Sequence, residues 1–288
     1  MLGTTAYAAE LKDIKDTDYE KEILVLQALG IVDGDENAEF HPDDTVKRSE
    51  AAKLIVEAFS YDNFTCEQCH TDFVDVPESH WASGYIQAAF ESAYVTGVSE
   101  TMFAPDENIT LEQACTIVLR AMGYELFAAR EGGYPSGYMK YAFGYDLCDK
   151  VQIPATSAVT RGQLAYVLAK AMETPVVDFA FSNGGERPFV SIMNGRGADY
   201  LCPMIEFHKA YYVSGKITGT AISGAQVRKG YAQLDINYAR RLGYEYINTS
   251  KVITCKTTDN IYDLLYLKGE FILKEIDEDL YEIIMIII

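Results

Sequence analysis

The chain has 288 residues, a formal charge of −19 and an apolar share of 49%. That length allows two domains, each with its own core, and that composition excludes wholesale disorder. The carboxylate excess repels nucleic acid and anionic lipid, and no run of eighteen apolar residues offers a membrane span, so neither partner is expected.

At the start, Ala6-Tyr7-Ala8 followed by Ala9 has the small-residue pattern of a signal-peptide tail, without the charged and long apolar parts that precede one. It reads as a truncated gene start, and the mature protein is expected to be exported. From there the chain repeats itself. Asp13-Ile14 with Tyr19 matches Asp75-Val76 with Trp81, and Gly34, Phe40, Pro42, Asp43, Val46, Ala51, Ile55 and Tyr61 match Gly97, Phe103, Pro105, Asp106, Ile109, Ala114, Val118 and Tyr124. The repeat is about sixty residues long.

Each copy reads as helix, loop, helix. In the first, Ile23, Leu26, Gln27 and Gly30 trace one helical face after Tyr19, and Gly34 is expected to end the helix. The loop carries an F-x-P signature, Phe40-His41-Pro42 and Phe103-Ala104-Pro105, in which proline favours extended geometry at the residue before it. A second helix follows, with Ala51, Leu54, Ile55 and Ala58 on one side in copy one and Ala114, Ile117, Val118 and Ala121 in copy two. A shorter third copy lacks F-x-P but keeps Val159-Thr160-Arg161-Gly162-Gln163 before Ala165, Leu168 and Ala169, and Pro175 closes it. Thr110 with Gln113 and Thr160 with Gln163 fit a capping box. Lys47 cannot accept a hydrogen bond, so the cap in copy one is expected to be weaker by on the order of 1 kcal/mol. Cys115 and Cys148 fall in apolar helical patterns and are expected as small core residues.

After Pro175 the pattern alternates. Tyr212, Ser214, Lys216 and Thr218 interleave with Val213, Gly215 and Ile217, and residues 231–236 alternate likewise, which predicts a β-rich domain. The stretch from Glu270 to Glu282 reads as a solvated acidic face, and Ile283–Ile288 as either a buried terminal strand or residue left by a misread gene end. The fold class is therefore multidomain α+β. Residues 1–9 are a leader remnant, 10–62, 70–125 and 130–176 are three helical repeats, and 178–288 form the β-rich C-terminal domain.

Several motifs compete for chemistry. Cys66-Glu67-Gln68-Cys69-His70 matches the C-x-x-C-H haem pattern, but it sits between repeats without an evident axial partner and reads as a linker whose thiols can oxidise. The stretch Asp33-Gly34-Asp35-Glu36-Asn37 with Glu39 and Asp44 echoes a calcium loop, yet Ala38 stands where glycine is required. His208, beside Glu206, reads as a strand or turn residue rather than a general base. No nucleophile motif and no Gly-rich phosphate loop occurs, so neither catalysis nor a cofactor or metal is expected.

The residues Phe73-Val74-Asp75-Val76-Pro77 with Trp81, the two F-x-P loops, the helix starts and Gly132-Gly133-Tyr134-Pro135-Ser136-Gly137-Tyr138 resemble S-layer homology domains of clostridial type. The resemblance implies three repeats in a pseudo-threefold helical prism that holds a secreted protein on the cell wall. Its grooves would bind a secondary wall polysaccharide bearing pyruvate ketals, with self-association in a surface layer as a further partner. The family's T-R-A-E positions correspond in copy one to Lys47, Arg48 and Glu50. A pyruvate ketal is a carboxylate, and guanidinium in the first turn of a helix suits it, because unpaired N–H groups and the dipole already favour an anion there. Arg48 and Arg161 hold that position, and Leu111 replaces them in copy two, so two competent grooves and one weak one are expected. Trp81 and Tyr19 either stack on sugar rings through their apolar faces or belong to the core, and Asp75 and Asp13 are expected to cap or brace a helix start rather than touch ligand. The alternative is a wall hydrolase that the repeats merely locate.

Overall fold

The computed structural model describes residues 10–60, 69–182, 185–190, 203–220, 227, 230–240, 251–257, 265–266, 268–277 and 280–287. Each of the first two repeats contributes a helix pair: α1 (Glu20–Ala28) with α2 (Arg48–Phe59), then α3 (Ser83–Glu91) with α4 (Leu111–Ala121). A short α5 (Glu125–Arg130) precedes the third pair, α6 (Ser136–Gly144) and α7 (Arg161–Met172).

Three fully buried residues, Val46, Ile109 and Val159, mark a pseudo-threefold axis. Val46 N donates to the Val159 carbonyl, Val159 N to Ile109, and Ile109 N to Val46, closing a ring of backbone hydrogen bonds at 2.9–3.1 Å. Each second helix then leans on the loop of the next copy. Arg48 N and Ser49 N donate to the carbonyls of Glu107 and Pro105, Leu111 N and Glu112 N to Ser157 and Ala155, and Arg161 N and Gly162 N to Asp44 and Pro42. These bonds consume the N–H groups that the sequence leaves unpaired at the helix starts. The dipole of each helix remains, but its first donors do not face a ligand.

The capping boxes form in copies two and three, where Thr110 and Thr160 accept from Gln113 N and Gln163 N and the glutamines return the bond. In copy one, Glu50 accepts from Lys47 N at 2.8 Å, while the Lys47 ammonium turns to Asp106 of the next loop at 3.0 Å.

Two local expectations are corrected. Helix α1 ends at Gly30, not Gly34: Gly30 (φ 78°) donates to the Gln27 carbonyl and Ile31 to Leu26, the left-handed closure that glycine makes without strain. Gly34 lies under the loop, where a Cβ would sit 2.5 Å from Leu11 Cδ2. The residues before the F-x-P prolines are left-handed rather than extended, with φ 58° at His41 and 60° at Ala104. Their conformation is held by a carboxylate. Asp13 accepts from Phe40 N (2.8 Å) and His41 N (2.6 Å), and Asp75 from Phe103 N (2.9 Å) and Ala104 N (2.7 Å). Two charge-assisted bonds offset the roughly 1–2 kcal/mol that a left-handed non-glycine residue costs. Asp75→Ala is expected to lower stability by about 2–3 kcal/mol, read as a lower urea midpoint at unchanged slope.

Past the prism, β1 (Val177–Ser182) pairs antiparallel with β2 (Gly185–Val190), and α8 (Pro203–His208) leads into a closed barrel. Its strands are β3 (Ala210–Thr220), β4 (Tyr231–Arg240), β5 (Lys251–Lys256), β6 (Lys268–Asp277) and β7 (Leu280–Ile287), in the order β3-β4-β5-β7-β6. Among the described strands of the barrel, only the β5–β7 pair is parallel. This is the connectivity of the five-stranded OB-type Greek-key barrel, which by itself assigns no ligand. The stretch from Glu270 to Glu282 is a solvated face on one side only: it belongs to two strands that bury Phe271, Ile272 and Leu273 and leave Glu270 and Asp277 exposed. Residues 283–287 of the terminal isoleucine run accordingly belong to a barrel strand.

His208 ends α8 rather than lying in a strand or turn, and its Nε2–H donates to the Ala58 carbonyl of α2 at 3.0 Å. Burial, with Lys274 acting in the same direction, pulls its pKa below the ordinary 6.5 against the opposing Ala58 carbonyl and Glu57. The unfolded chain therefore takes up the proton first, and stability present above pH 6.5 is lost as pH falls below it through the folded value. His208→Gln, which keeps a donor without titrating, is expected to flatten that acid limb in urea titrations run at stepped pH.

Candidate functional site

Two clefts open between the helical copies, and each holds one of the arginines singled out from the sequence. The first, of about 290 Å³, is lined by Arg48, Thr96, Phe103, Gln113, Arg120 and Tyr134 among others. The second, of about 400 Å³, includes Asp33, Glu50, Lys53, Glu57, Trp81 and Arg161.

Both arginines are held alike. Arg48 Nε donates to the Phe103 carbonyl at 2.9 Å and its Cζ lies 4.7 Å from the Phe103 ring centroid, while Arg161 Nε donates to the Phe40 carbonyl at 2.7 Å with Cζ 4.7 Å from the Phe40 ring. The F-x-P phenylalanine thus does two jobs: it plugs the core and carries a guanidinium on its face. Arg48 also reaches the Thr96 carbonyl through Nη2 at 3.1 Å, and burial pulls its pKa down from a value high enough that it stays a cation. A guanidinium fixed by stacking and by backbone acceptors has little freedom left to lose on binding.

The remaining residues fall into place around this pair. Trp81 is 54% exposed in the Arg161 cleft, with the His80 ring stacked 5.9 Å from it. Tyr134, 49% exposed in the Arg48 cleft, takes the corresponding position in the third copy, and its hydroxyl donates to Glu112 at 3.1 Å. Tyr19 lines neither of these two clefts: it is half-buried against Tyr166, ring centroids 5.9 Å apart. Tyr166 stands in α7 where α2 has Lys53 and α4 has Thr116, and its hydroxyl donates to Asp149. Copy three therefore carries an aromatic pair, Tyr166 with Tyr19, at the helix position that holds Lys53 and Thr116 in the other two copies. Lys47 and Glu50 sit at the helix start, with Glu50 in the Arg161 cleft and Lys47 spent on Asp106. The Asp13 and Asp75 carboxylates brace the F-x-P loops through backbone amides rather than capping a helix start.

The sequence reading missed Tyr134, Gln113 and Arg120 on one side and Asp33, Lys53 and Glu57 on the other. Tyr134 had a signal, since it precedes α6 as Trp81 precedes α3. The others lie one and two turns down the second helices or in the loop ahead of F-x-P, and register with Arg48 or Arg161 only once the copies are arranged around the axis.

Of the competing motifs, Cys66 lies outside the described residues, and Cys69 is in a disulfide, so its sulfur offers no thiolate to a metal. In the acidic loop, Asp35 accepts from Asn37 N and Glu39 N and meets His41 Nε2 at 3.2 Å. Those contacts hold its carboxyl at about 2 and raise His41, an ion pair that serves the loop itself. No helix among the described residues is long and apolar enough to cross a membrane.

Residues 10–52 and 72–115 match the S-layer homology domain family. The chain is similar to a cell surface protein of Thermoanaerobacter kivui, 29% identical over 180 residues, covering 62% of this chain and 23% of that protein. It is also similar to the middle cell wall protein of Brevibacillus brevis, 29% identical over 164 residues, or 57% of this chain and 15% of that one. A surface layer protein of Brevibacillus choshinensis is 35% identical over 111 residues, 38% of this chain and 10% of its own length. The matched part thus spans less than a quarter of each of these relatives.

Proposed function

We propose, from the premise that residues 10–52 and 72–115 are S-layer homology domains, that the helical prism anchors a cell-surface protein to the wall by gripping an acidic sugar of a wall polysaccharide in the Arg48 cleft. The observation that carries this reading is the composition of that cleft. It presents two guanidinium groups, Arg48 and Arg120, an exposed tyrosine ring, and no carboxylate in its lining. In a chain of charge −19, such a spot is where an anion can settle.

The chemistry follows from the geometry. Arg48 keeps Nη1 and part of Nη2 for a carboxylate, which a guanidinium meets with two parallel hydrogen bonds. Tyr134 offers a ring face for the sugar, and Gln113 an amide for its hydroxyls. Arg120 adds charge from behind, already braced by Glu125 at 3.4 Å and the Tyr138 hydroxyl at 3.2 Å. A pyruvate ketal, being a rigid carboxylate on a sugar ring, has the chemistry this cleft selects. We read the chain as an anchor rather than a hydrolase. The relatives named as surface and cell-wall proteins support that, as does the burial of His208 against a backbone carbonyl.

Co-sedimentation of the chain with purified walls, before and after mild acid hydrolysis of ketals, tests the proposal. Binding that survives complete ketal removal would refute the acidic-sugar grip. Clearing of a wall substrate in a zymogram would favour the hydrolase reading instead.

A further inference from the structure

The pseudo-threefold axis makes the two clefts directly comparable, position by position, and their charges disagree. Arg161 answers to Arg48, Phe40 to Phe103, and Trp81 to Tyr134. Around these matched groups, Thr96 of the first cleft becomes Asp33 in the second, Gln113 becomes Glu50, and Arg120 becomes Glu57, while Thr116 becomes Lys53. The lining of one cleft therefore carries two cations and no carboxylate, with Glu125 paired to Arg120 and Glu112 accepting from Tyr134 just outside it. Its counterpart presents two cations and three carboxylates.

We propose that the Arg161 cleft takes a hexosamine with a free, protonated amine, so that the two clefts read sugars of opposite charge on the same wall. This inference rests on the reading of the clefts as wall-glycan sites and adds a second ligand class to it. Arg161 is held on the Phe40 ring and carbonyl as Arg48 is on Phe103, so the difference lies in the carboxylates of Asp33, Glu50 and Glu57, which repel an acidic sugar from that side. Glu57 is fixed by the Tyr85 hydroxyl at 3.0 Å and Glu50 by Lys47 N at 2.8 Å, so both carboxylates are held in place before a ligand arrives. Lys53 lies 5.9 Å from the Tyr85 ring centroid. Trp81 completes the site: an exposed indole stacks on the apolar face of a sugar and attracts an ammonium to its own face. N-acetylation removes that charge and with it the preference.

Trp81 is the one tryptophan of the chain, so emission excited at the red edge, where tryptophan absorbs and tyrosine does not, reports on this cleft. The whole chain is titrated at one slightly acidic pH with a β-1,4-linked glucosamine tetramer and with its fully N-acetylated counterpart, alongside ketal-dependent wall co-sedimentation. The glucosamine oligomer is expected to shift Trp81 emission and to bind at least about tenfold more tightly than the acetylated one. The double variant Asp33→Asn, Glu57→Gln is expected to lose that preference with an unchanged melting temperature, and Arg48→Ala to keep it. Equal or tighter binding of the acetylated oligomer, no response to either, or a preference that survives in the double variant overturns the proposal. Ketal-dependent sedimentation that persists in those cases leaves the acidic-sugar reading standing, and its loss with the Trp81 response intact overturns that reading alone.

Discussion

Arg48→Ala is expected to weaken wall binding at least about thirtyfold, whereas Arg161→Ala changes it by less than about threefold. The first figure follows from truncating one partner of a desolvated charge pair, which costs about 2 kcal/mol or more. The second follows from the three carboxylates around Arg161, which keep an acidic sugar away whether or not the guanidinium is there. Both variants lose a cation stacked on phenylalanine and a bond to a loop carbonyl, and Arg48→Ala also loses the bond to the Thr96 carbonyl, so the melting temperature of each variant is measured beside its binding. Arg48→Lys is the sharper control. It keeps the charge, gives up the planar fork and the stacking, and is expected to fall between wild type and alanine. Sedimentation isotherms at fixed salt measure all three.

Phe103→Ala carries the largest expected loss of stability, about 3–5 kcal/mol. The ring is 1% exposed, packs 5.5 Å from Phe73 and supports Arg48, so its removal opens a cavity in the second copy and frees the guanidinium. The melting temperature should drop by roughly 10 °C or more. Phe103→Leu refills most of the space and is expected to recover over half of the loss while leaving Arg48 without its aromatic seat. A leucine variant that folds well but binds walls poorly would separate the two jobs of this residue.

The sequence made the repeat legible because its signals are local. A Thr at the N-cap with Gln three residues on, a phenylalanine two before a proline, and an aspartate ahead of an apolar residue each announce themselves within a few positions. Arg48 and Arg161 were found through that register. What stayed hidden depends on the arrangement of the copies. That Arg48 N meets the Glu107 carbonyl is a contact across 59 residues, and it reverses the argument from open helix ends. The pairing of Tyr134 with Arg48, and of Glu57 with Arg161, exists only once each second helix leans on a neighbouring loop. Gly34 was taken for the end of α1 because a glycine closing a helix and a glycine lying under a side chain look identical in one dimension. The alternation in 212–218 revealed a strand but not a barrel, since closure of β3 on β6 is set by residues from 52 (Lys216 and Lys268) to 64 (Ala210 and Lys274) positions apart.

Binding that depends on one cleft can be watched at the guanidinium itself. Nitrogen-detected NMR of arginine Nε–Hε groups, recorded while a pyruvylated disaccharide is added to the whole chain, separates Arg48 from Arg161 once each is assigned by substitution. A saturable shift at Arg48 with Arg161 unmoved is the expected result. A shift confined to Arg161, or none at either, would contradict it.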